Sequence, residues 1–256
     1  MSDLRPPLLS GWLPTNCRVC RRWGAGVLCE FCTYRFCSTP LRCGRCALGL
    51  GGNSGPGLAE AAACTGEPAG EPLAAGRVCA ACLREPPPWR AAVCAEDYAF
   101  PWNTLIGDFK FRSDVALAAL LAERLAAALG RAASSTDVDL VLPVPLSAQR
   151  LQQRGFNQAW ELTRRLAHLF GLQAEAHLLQ RPVDTAHQVE LSLQDRARNL
   201  QGAFMVDPQA RSNLLGRRVA LVDDVMTTGA TFRQATRTLL QAGAGSVDVW
   251  AVARTP

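Results

Sequence analysis

The sequence predicts an α/β protein with a doubly wound parallel sheet, preceded by a small cysteine module. Two observations predict it. From about residue 104, apolar runs of strand length alternate with stretches of helical periodicity, which implies parallel strands joined by crossover helices. Ahead of them lie four Cys-x-x-Cys pairs. The start, "MSDLRPPLLSGWLPTN", has no basic region followed by an apolar one, so the expected compartment is cytoplasmic. There, paired cysteines indicate metal rather than disulfides. No apolar run approaches the roughly 20 residues of a membrane span, so no transmembrane segment is expected.

The front module comes first. Its pairs are Cys17/Cys20, Cys29/Cys32, Cys43/Cys46 and Cys79/Cys82. Two residues between cysteines make a knuckle that aims both sulfurs at one ion, and two knuckles complete a tetrahedral Zn²⁺ site. Four pairs thus predict two structural zinc sites, each with four cysteine ligands. Nearest neighbours would join Cys17/Cys20 to Cys29/Cys32 and Cys43/Cys46 to Cys79/Cys82, and a crossed arrangement stays open. Cys37, Cys64 and Cys94 are left as plain thiols. Residues 47–78 are rich in Gly, Ala, Pro and Glu and read as a flexible low-complexity insert, and "PPPW" (86–89) reads as a stiff joint. The expected boundaries are a double zinc module over 1–94 and an α/β domain over 95–256.

The net charge of +5 sits in residues 1–46, where seven arginines face Asp3 and Glu30. Arg18, Arg21, Arg22, Arg35, Arg42 and Arg45 interleave with Trp23, Phe31, Tyr34 and Phe36. Charge for a backbone and rings for bases would suit single-stranded nucleic acid. A solvated face, or the folding needs of a small zinc module, are the competing readings.

The α/β part reads in order. "VCAEDYAF" (93–100) is strand-like. "TLIGDFK" and "DVALAALLAERLAAALG" carry helical spacing, with Ser113 as cap and Gly130 as stop. "VDLVLPVP" (138–145) is a buried strand ended by prolines. "NQAWELTRRLAHLFG" (157–171) is an amphipathic helix headed by Asn157 and closed by Gly171. "RRVALVDD" (217–224) is a buried strand, "TFRQATRTLLQAG" (231–243) a helix and "SVDVWAVAR" (246–254) a strand. A ligand site belongs at the carboxyl ends of such strands.

"LVDDVMTTGATF" (221–232) stands at one of those ends. Asp223 and Asp224 close the strand, and Val225, Met226, Thr227, Thr228, Gly229, Ala230 and Thr231 lead into the helix. Backbone N–H groups, the helix dipole and threonine hydroxyls in such a turn suit a phosphate monoester. Carboxylates repel phosphate but accept hydrogen bonds from sugar hydroxyls or ligate Mg²⁺. Phosphate on one side and a diol on the other describe a ribose 5-phosphate. The bland alternative is an acidic strand end followed by a threonine cap.

"VALVDDVMTTGATF" resembles the phosphoribosyl-pyrophosphate (PRPP) motif of type I phosphoribosyltransferases. The resemblance implies a phosphoribosyltransferase-type sheet, with Asp223 and Asp224 on the ribose hydroxyls and Val225 to Thr231 on the 5-phosphate. "LVLPVPLSAQRLQQRGFNQAWELTRRLA" (140–167), "RPVDTAHQVELSLQDRARNLQGAF" (181–204), "LIGDFKFR" (105–112) and the cysteine pairs resemble the ComF family over nearly the whole chain. The 47–78 insert departs from that pattern. PRPP with Mg²⁺ is then the implied ligand, and pentosyl transfer the implied chemistry. A departing pyrophosphate needs cations or amides. Arg150, Arg154 and Gly155, with Asn157, follow the strand at 140. Arg181, Thr185, Gln188, Arg196 and Asn199 match the family pattern in a segment expected to cover the site, and Lys110 is a further phosphate candidate. No catalytic residue is assigned, Arg154 and Arg196 being the candidates. The resemblance implies a role in DNA uptake or DNA use. Its implied partners are incoming single-stranded DNA and DNA-uptake machinery at the cytoplasmic membrane face. A metabolic phosphoribosyltransferase of nucleobase salvage and a PRPP-sensing module without turnover stay open.

Overall fold

A computed structural model of the chain describes residues 15–24, 26–37, 40–51, 77–112, 114–132, 137–182 and 203–256. The chain divides into two compact units, Met1–Ser38 and Thr39–Pro256. Most of the insert, with Cys64, lies outside the described residues, as do Ser113 and the segment 183–202.

In the first unit, β1 (Thr15–Asn16) pairs antiparallel with β2 (Trp23–Gly24), and helix α1 (Glu30–Phe36) follows. In the second unit, α2 (Ala80–Arg84) precedes strand β3 (Ala92–Asp97). Then come helices α3 (Trp102–Phe111) and α4 (Leu117–Arg131), strand β4 (Leu140–Pro143), and helices α5 (Ala148–Arg154) and α6 (Gln158–Phe170). Strands β5 (Gln173–Ala174), β6 (Leu179–Gln180) and β7 (Met205–Val206) are short. The chain ends with β8 (Arg218–Met226), α7 (Ala230–Gln241) and β9 (Ser246–Arg254).

Five strands form one parallel sheet in the order β3-β9-β8-β4-β5. This is the doubly wound α/β architecture. Its central strands are buried on both faces, which is why they read as continuous apolar runs. Val219 and Leu221 of β8 join a core cluster with Val249 of β9 and with Phe232, Ala235 and Leu239 of α7. Ala220 and Val222 alternate to the other face, where α6 packs on β4 and β8 and α4 on β3 and β9. Strand order reverses between β4, which leads out to β5, and β8, which leads out to β9. Ligand crevices in open α/β sheets lie outside the carboxyl ends at such a point.

Four local differences from the sequence-based expectations have physical reasons. Strand β8 runs two residues further than expected because Val225 and Met226 continue the ladder against Ala253 and Arg254. The turn is therefore Thr227, Thr228 and Gly229 alone, and α7 already starts at Ala230. The stretch after β4, which has no element assigned from the sequence, contains α5, capped by the Ser147 hydroxyl and ended by Gly155 at φ 79°. The expected boundary at 94/95 falls inside β3, which is held in the sheet by β9. Among the described residues no helix is long and apolar enough to cross a membrane.

Candidate functional site

A cavity of about 630 Å³ opens where β4 and β8 end. Five separate stretches of the chain converge on it. Val144, Pro145 and Leu146 follow β4, and α5 presents Gln149, Arg150, Gln153 and Arg154. Residues at i and i+4 share a helix face, so Arg150 and Arg154 arrive together. Asp223, Asp224, Val225, Thr227 and Thr231 come from the end of β8 and the start of α7. Lys110, Tyr98, Gln158 and Arg181 complete the polar wall. Lys110, Arg150, Arg154 and Arg181 set four cationic side chains against two carboxylates, so the cavity favours an anion overall.

Asp224 is the buried member of the acid pair. Its Oδ1 lies 2.7 Å from Lys110 Nζ, with side-chain exposures of 3% and 18%. Its Oδ2 is buried without a hydrogen-bond partner, which leaves an acceptor unmet next to the cavity. Asp223 accepts a hydrogen bond from the Asp224 N–H at 2.8 Å. Burial first, and then the neighbouring Asp224 charge, push Asp223 up to about 7 against the pull of Lys110. Burial alone would lower the Lys110 ammonium, but Asp224 and Asp223 outweigh it and hold it above the ordinary lysine range.

Gly229 adopts φ 77° and stands at the N-cap of α7 without a capping side chain. The helix N-terminus thus offers first-turn amides beside Thr227 and Thr231. Ala230 N–H reaches the Thr228 hydroxyl only at 3.4 Å. Of the expected phosphate segment, Val225, Thr227 and Thr231 line the cavity; Thr228, Gly229 and Ala230 do not, and Met226 is buried. Asn157 does not line it: its side-chain oxygen caps α6 at Ala159 N–H, and its amide donates to the Val144 carbonyl. Gly155 closes α5 rather than facing the cavity. The Arg154 guanidinium sits 5.5 Å over the Phe111 ring and donates to Gln158. Thr185, Gln188, Arg196 and Asn199 lie outside the described residues. Sequence reasoning missed Tyr98, Gln149 and Gln153. Tyr98 directly follows β3, so the carboxyl-end rule alone marks it.

The eight paired cysteines form two groups, Cys17, Cys20, Cys29 and Cys32 in the first unit and Cys43, Cys46, Cys79 and Cys82 in the second. In each group all four sulfurs lie within 4.8 Å of one another. A tetrahedral zinc with Zn–S of about 2.3 Å needs sulfurs about 3.8 Å apart. The Cys20–Cys29 and Cys46–Cys79 sulfurs are 3.5 and 3.7 Å apart, so both groups fit the metal. The two are built alike: one pair sits in a tight turn, and the other begins at the N-cap of a short helix, Cys29 for α1 and Cys79 for α2. Burial raises Cys17, but backbone N–H groups of Cys20, Cys29 and Val19 outweigh it and bring the thiol down to about 6. The Cys82 backbone N–H leads in lowering Cys79 to about 7. Burial first pushes Cys32 and Cys82 the other way, so in each group one thiol is brought down while a partner is raised. Cys94 is different: burial pushes it up to about 12, so it is an inert core thiol.

The first unit exposes Trp23 (73%), Phe31 (54%) and Tyr34 (55%), with Arg22 over the Phe31 ring at 5.6 Å. Arg18, Arg21 and Arg35 are exposed in the same unit. Arg42 and Arg45 belong to the second unit. Arg42 pairs with Asp97 at 2.8 Å, and Arg45 donates to the Trp89 carbonyl at 3.3 Å.

No family model matches the chain. DNA utilization protein YhgH of Salmonella typhi is 32% identical over 252 residues, covering 95% of this chain and 98% of the relative. Competence protein F of Haemophilus influenzae is 34% identical over 179 residues, covering 69% of this chain and 78% of the relative. The chain belongs to the ComF family. Competence protein ComFC of Bacillus subtilis is 30% identical over 150 residues, 57% of each chain. Among solved structures, the glutamine PRPP amidotransferase of B. subtilis is 21% identical, covering 52% of this chain and 25% of that one. Its TM-score of 0.34 is too low to carry an argument. The cavity and the two four-cysteine groups of this ComF-family protein thus rest on its own geometry.

Proposed function

We propose that this ComF-family protein binds PRPP with Mg²⁺ in the cavity at the ends of β4 and β8, and that it serves the use of incoming DNA. One observation carries the ligand. An acid pair whose Asp224 member is buried with one oxygen unpartnered adjoins a glycine turn that opens an uncapped helix, beside a cavity walled by four cationic side chains. Thr227, Thr231 and the first-turn amides of α7 hold the 5-phosphate, and the carboxylates of Asp223 and Asp224 accept from the ribose hydroxyls. Arg150, Arg154 and Lys110 face the pyrophosphate. Asp223 and Asp224 would hold Mg²⁺ through their carboxylate oxygens, and the ion would supply neutralising charge for the pyrophosphate.

The relatives' names, DNA utilization protein and competence protein, support the biological side. The exposed rings and arginines of the first unit favour single-stranded DNA as the partner there. Calorimetric titration with PRPP and Mg²⁺ tests the ligand, and Asp223→Ala with Asp224→Ala abolishes binding while circular dichroism stays unchanged. Retained affinity overturns the assignment. Pyrophosphate release in the presence of candidate acceptors separates an enzyme from a sensor. In turnover the C1–O bond to pyrophosphate breaks with its electron pair leaving on oxygen, and the acceptor's lone pair forms the new bond to C1.

A further inference from the structure

The turn at Thr227–Gly229 stands on something other than the sheet. Arg254, the last residue of β9, donates from one guanidinium nitrogen to the carbonyls of Met226, at 3.3 Å, and of Thr227. Its Nε donates to the Cys46 carbonyl at 3.0 Å. One side chain therefore joins the anion turn to a cysteine of the second group. A second tie runs beside it. The Trp89 indole N–H donates to the Arg45 carbonyl, and the Arg45 guanidinium donates back to the Trp89 carbonyl. The Trp89 ring lies under Gly229, where an added Cβ would be 3.2 Å from its edge, and it packs edge-on against Phe232 of α7. Ala47, completely buried, belongs to the same core cluster as Trp89 and Phe232.

The carbonyls of residues 45 and 46 are aimed by the knuckle they belong to. Cys43 Sγ accepts from the N–H groups of Arg45, at 3.4 Å, and Cys79, at 3.3 Å. The Gly44 carbonyl accepts from Ala92 N–H at 2.9 Å, at the start of β3. A metal on Cys43, Cys46, Cys79 and Cys82 fixes this knuckle, and without it the knuckle has no other covalent closure. We infer that the second four-cysteine group is the footing of the anion turn: metal bound there holds residues 226–229 in their ligand-binding shape through Arg254 and Trp89. The first group lies in the other compact unit and has no part in this. Arg254 and Trp89 are positioning residues, since they touch the turn and not the cavity. The inference rests on the ribose-phosphate reading of the cavity.

The test uses the full zinc-loaded chain and three variants: Arg254→Met, Cys79→Ser and, for the first group, Cys20→Ser. Zinc content, amide exchange over 226–231, and calorimetric affinity for PRPP with Mg²⁺ are measured for each. Arg254→Met keeps its zinc, speeds exchange across the turn and weakens binding by about tenfold to a hundredfold, the scale of lost supporting contacts around a site. Cys79→Ser loses one metal and does the same, whereas Cys20→Ser loses one metal and leaves both turn and affinity as in the parent. Parental exchange and affinity in Arg254→Met and Cys79→Ser overturn the inference. So does an equal effect from Cys20→Ser. If the parent itself binds no PRPP, the ligand reading fails, and the footing then stands or falls on exchange alone.

Discussion

Replacing Lys110 by methionine keeps most of the side-chain volume and removes the cation beside Asp224. In the structure Lys110 Nζ is 2.7 Å from Asp224 Oδ1, and the other carboxylate oxygen already lacks a partner. The variant leaves a buried charge facing Asp223 with no cation in contact. At about 4 Å between charge centres and an effective dielectric of about 20, the attraction lost is about 4 kcal/mol before desolvation is counted. Breaking a buried pair by removing one partner costs about 3–5 kcal/mol, and the partial exposure of Lys110 places this one near 3. Asp224→Asn alone keeps an acceptor for the ammonium and costs less, and the double variant recovers about 2 kcal/mol of the summed losses. Urea unfolding followed by near-ultraviolet circular dichroism measures all four proteins, with equal slopes as the check that the same surface unfolds. Millimolar Mg²⁺ should stabilise Lys110→Met more than the parent, because the acid pair is then short of a cation. A coupling below about 0.5 kcal/mol means that the pair does not exist in solution and refutes the reasoning.

Asp223→Asn tests the raised carboxyl. A folded value near 7 above an unfolded one near 4 means that the folded state holds the extra proton between them, so stability falls as pH rises through that window. Relative to the parent, the asparagine variant should therefore gain about 2 kcal/mol between about pH 5.5 and 8.5, and parallel pH curves would contradict this. Gly229→Ala puts a Cβ at φ 77° and 3.2 Å from the Trp89 ring, and should cost about 1–3 kcal/mol in thermal unfolding. Zinc analysis should return two ions per chain, one for each four-cysteine group, and Cys32→Ser should return one. Trp23→Ala, at an exposed ring, should leave stability within about 0.5 kcal/mol and weaken binding of a labelled single-stranded oligonucleotide. Unchanged anisotropy curves over a salt series would remove the first unit from DNA binding.

Much of the sheet was legible because its strands are buried on both faces, and long apolar runs bounded by glycine or proline have few other uses. Strand β9 matches its sequence-based limits, and α6 begins after Asn157 and ends before Gly171, where cap chemistry is local. Short elements were not legible. Helix α5 carries no buried residue, so it shows no apolar stripe, and its only signals are Ser147 before it and Gly155 after it. The acid pair and its turn were visible as residue types in order. Their partners were not, because Lys110 on α3 and Asp224 on β8 are far apart in sequence and meet only in the folded chain.

The cysteine groups mark the limit most sharply. Spacing alone presents four equal knuckles, and the structure builds both groups on one plan, with a turn pair and a helix-cap pair. Nothing in that plan says that one group belongs to a separate compact unit and the other to the unit of the sheet. The difference lies in residues between and beyond the ligands. Arg42 finds Asp97, Arg45 finds Trp89, Ala47 enters the core and the Cys46 carbonyl meets Arg254. In the first unit the corresponding positions are Asn16, Val19, Cys20 and Arg21, and the exposed arginines and rings of that unit lie mostly beyond them. A metal site that hands its backbone carbonyls to a neighbouring sheet has become part of that sheet's foundation. One surrounded by exposed charge and aromatic surface is left with that surface to offer, and this contrast is the physical ground for assigning the two groups different work.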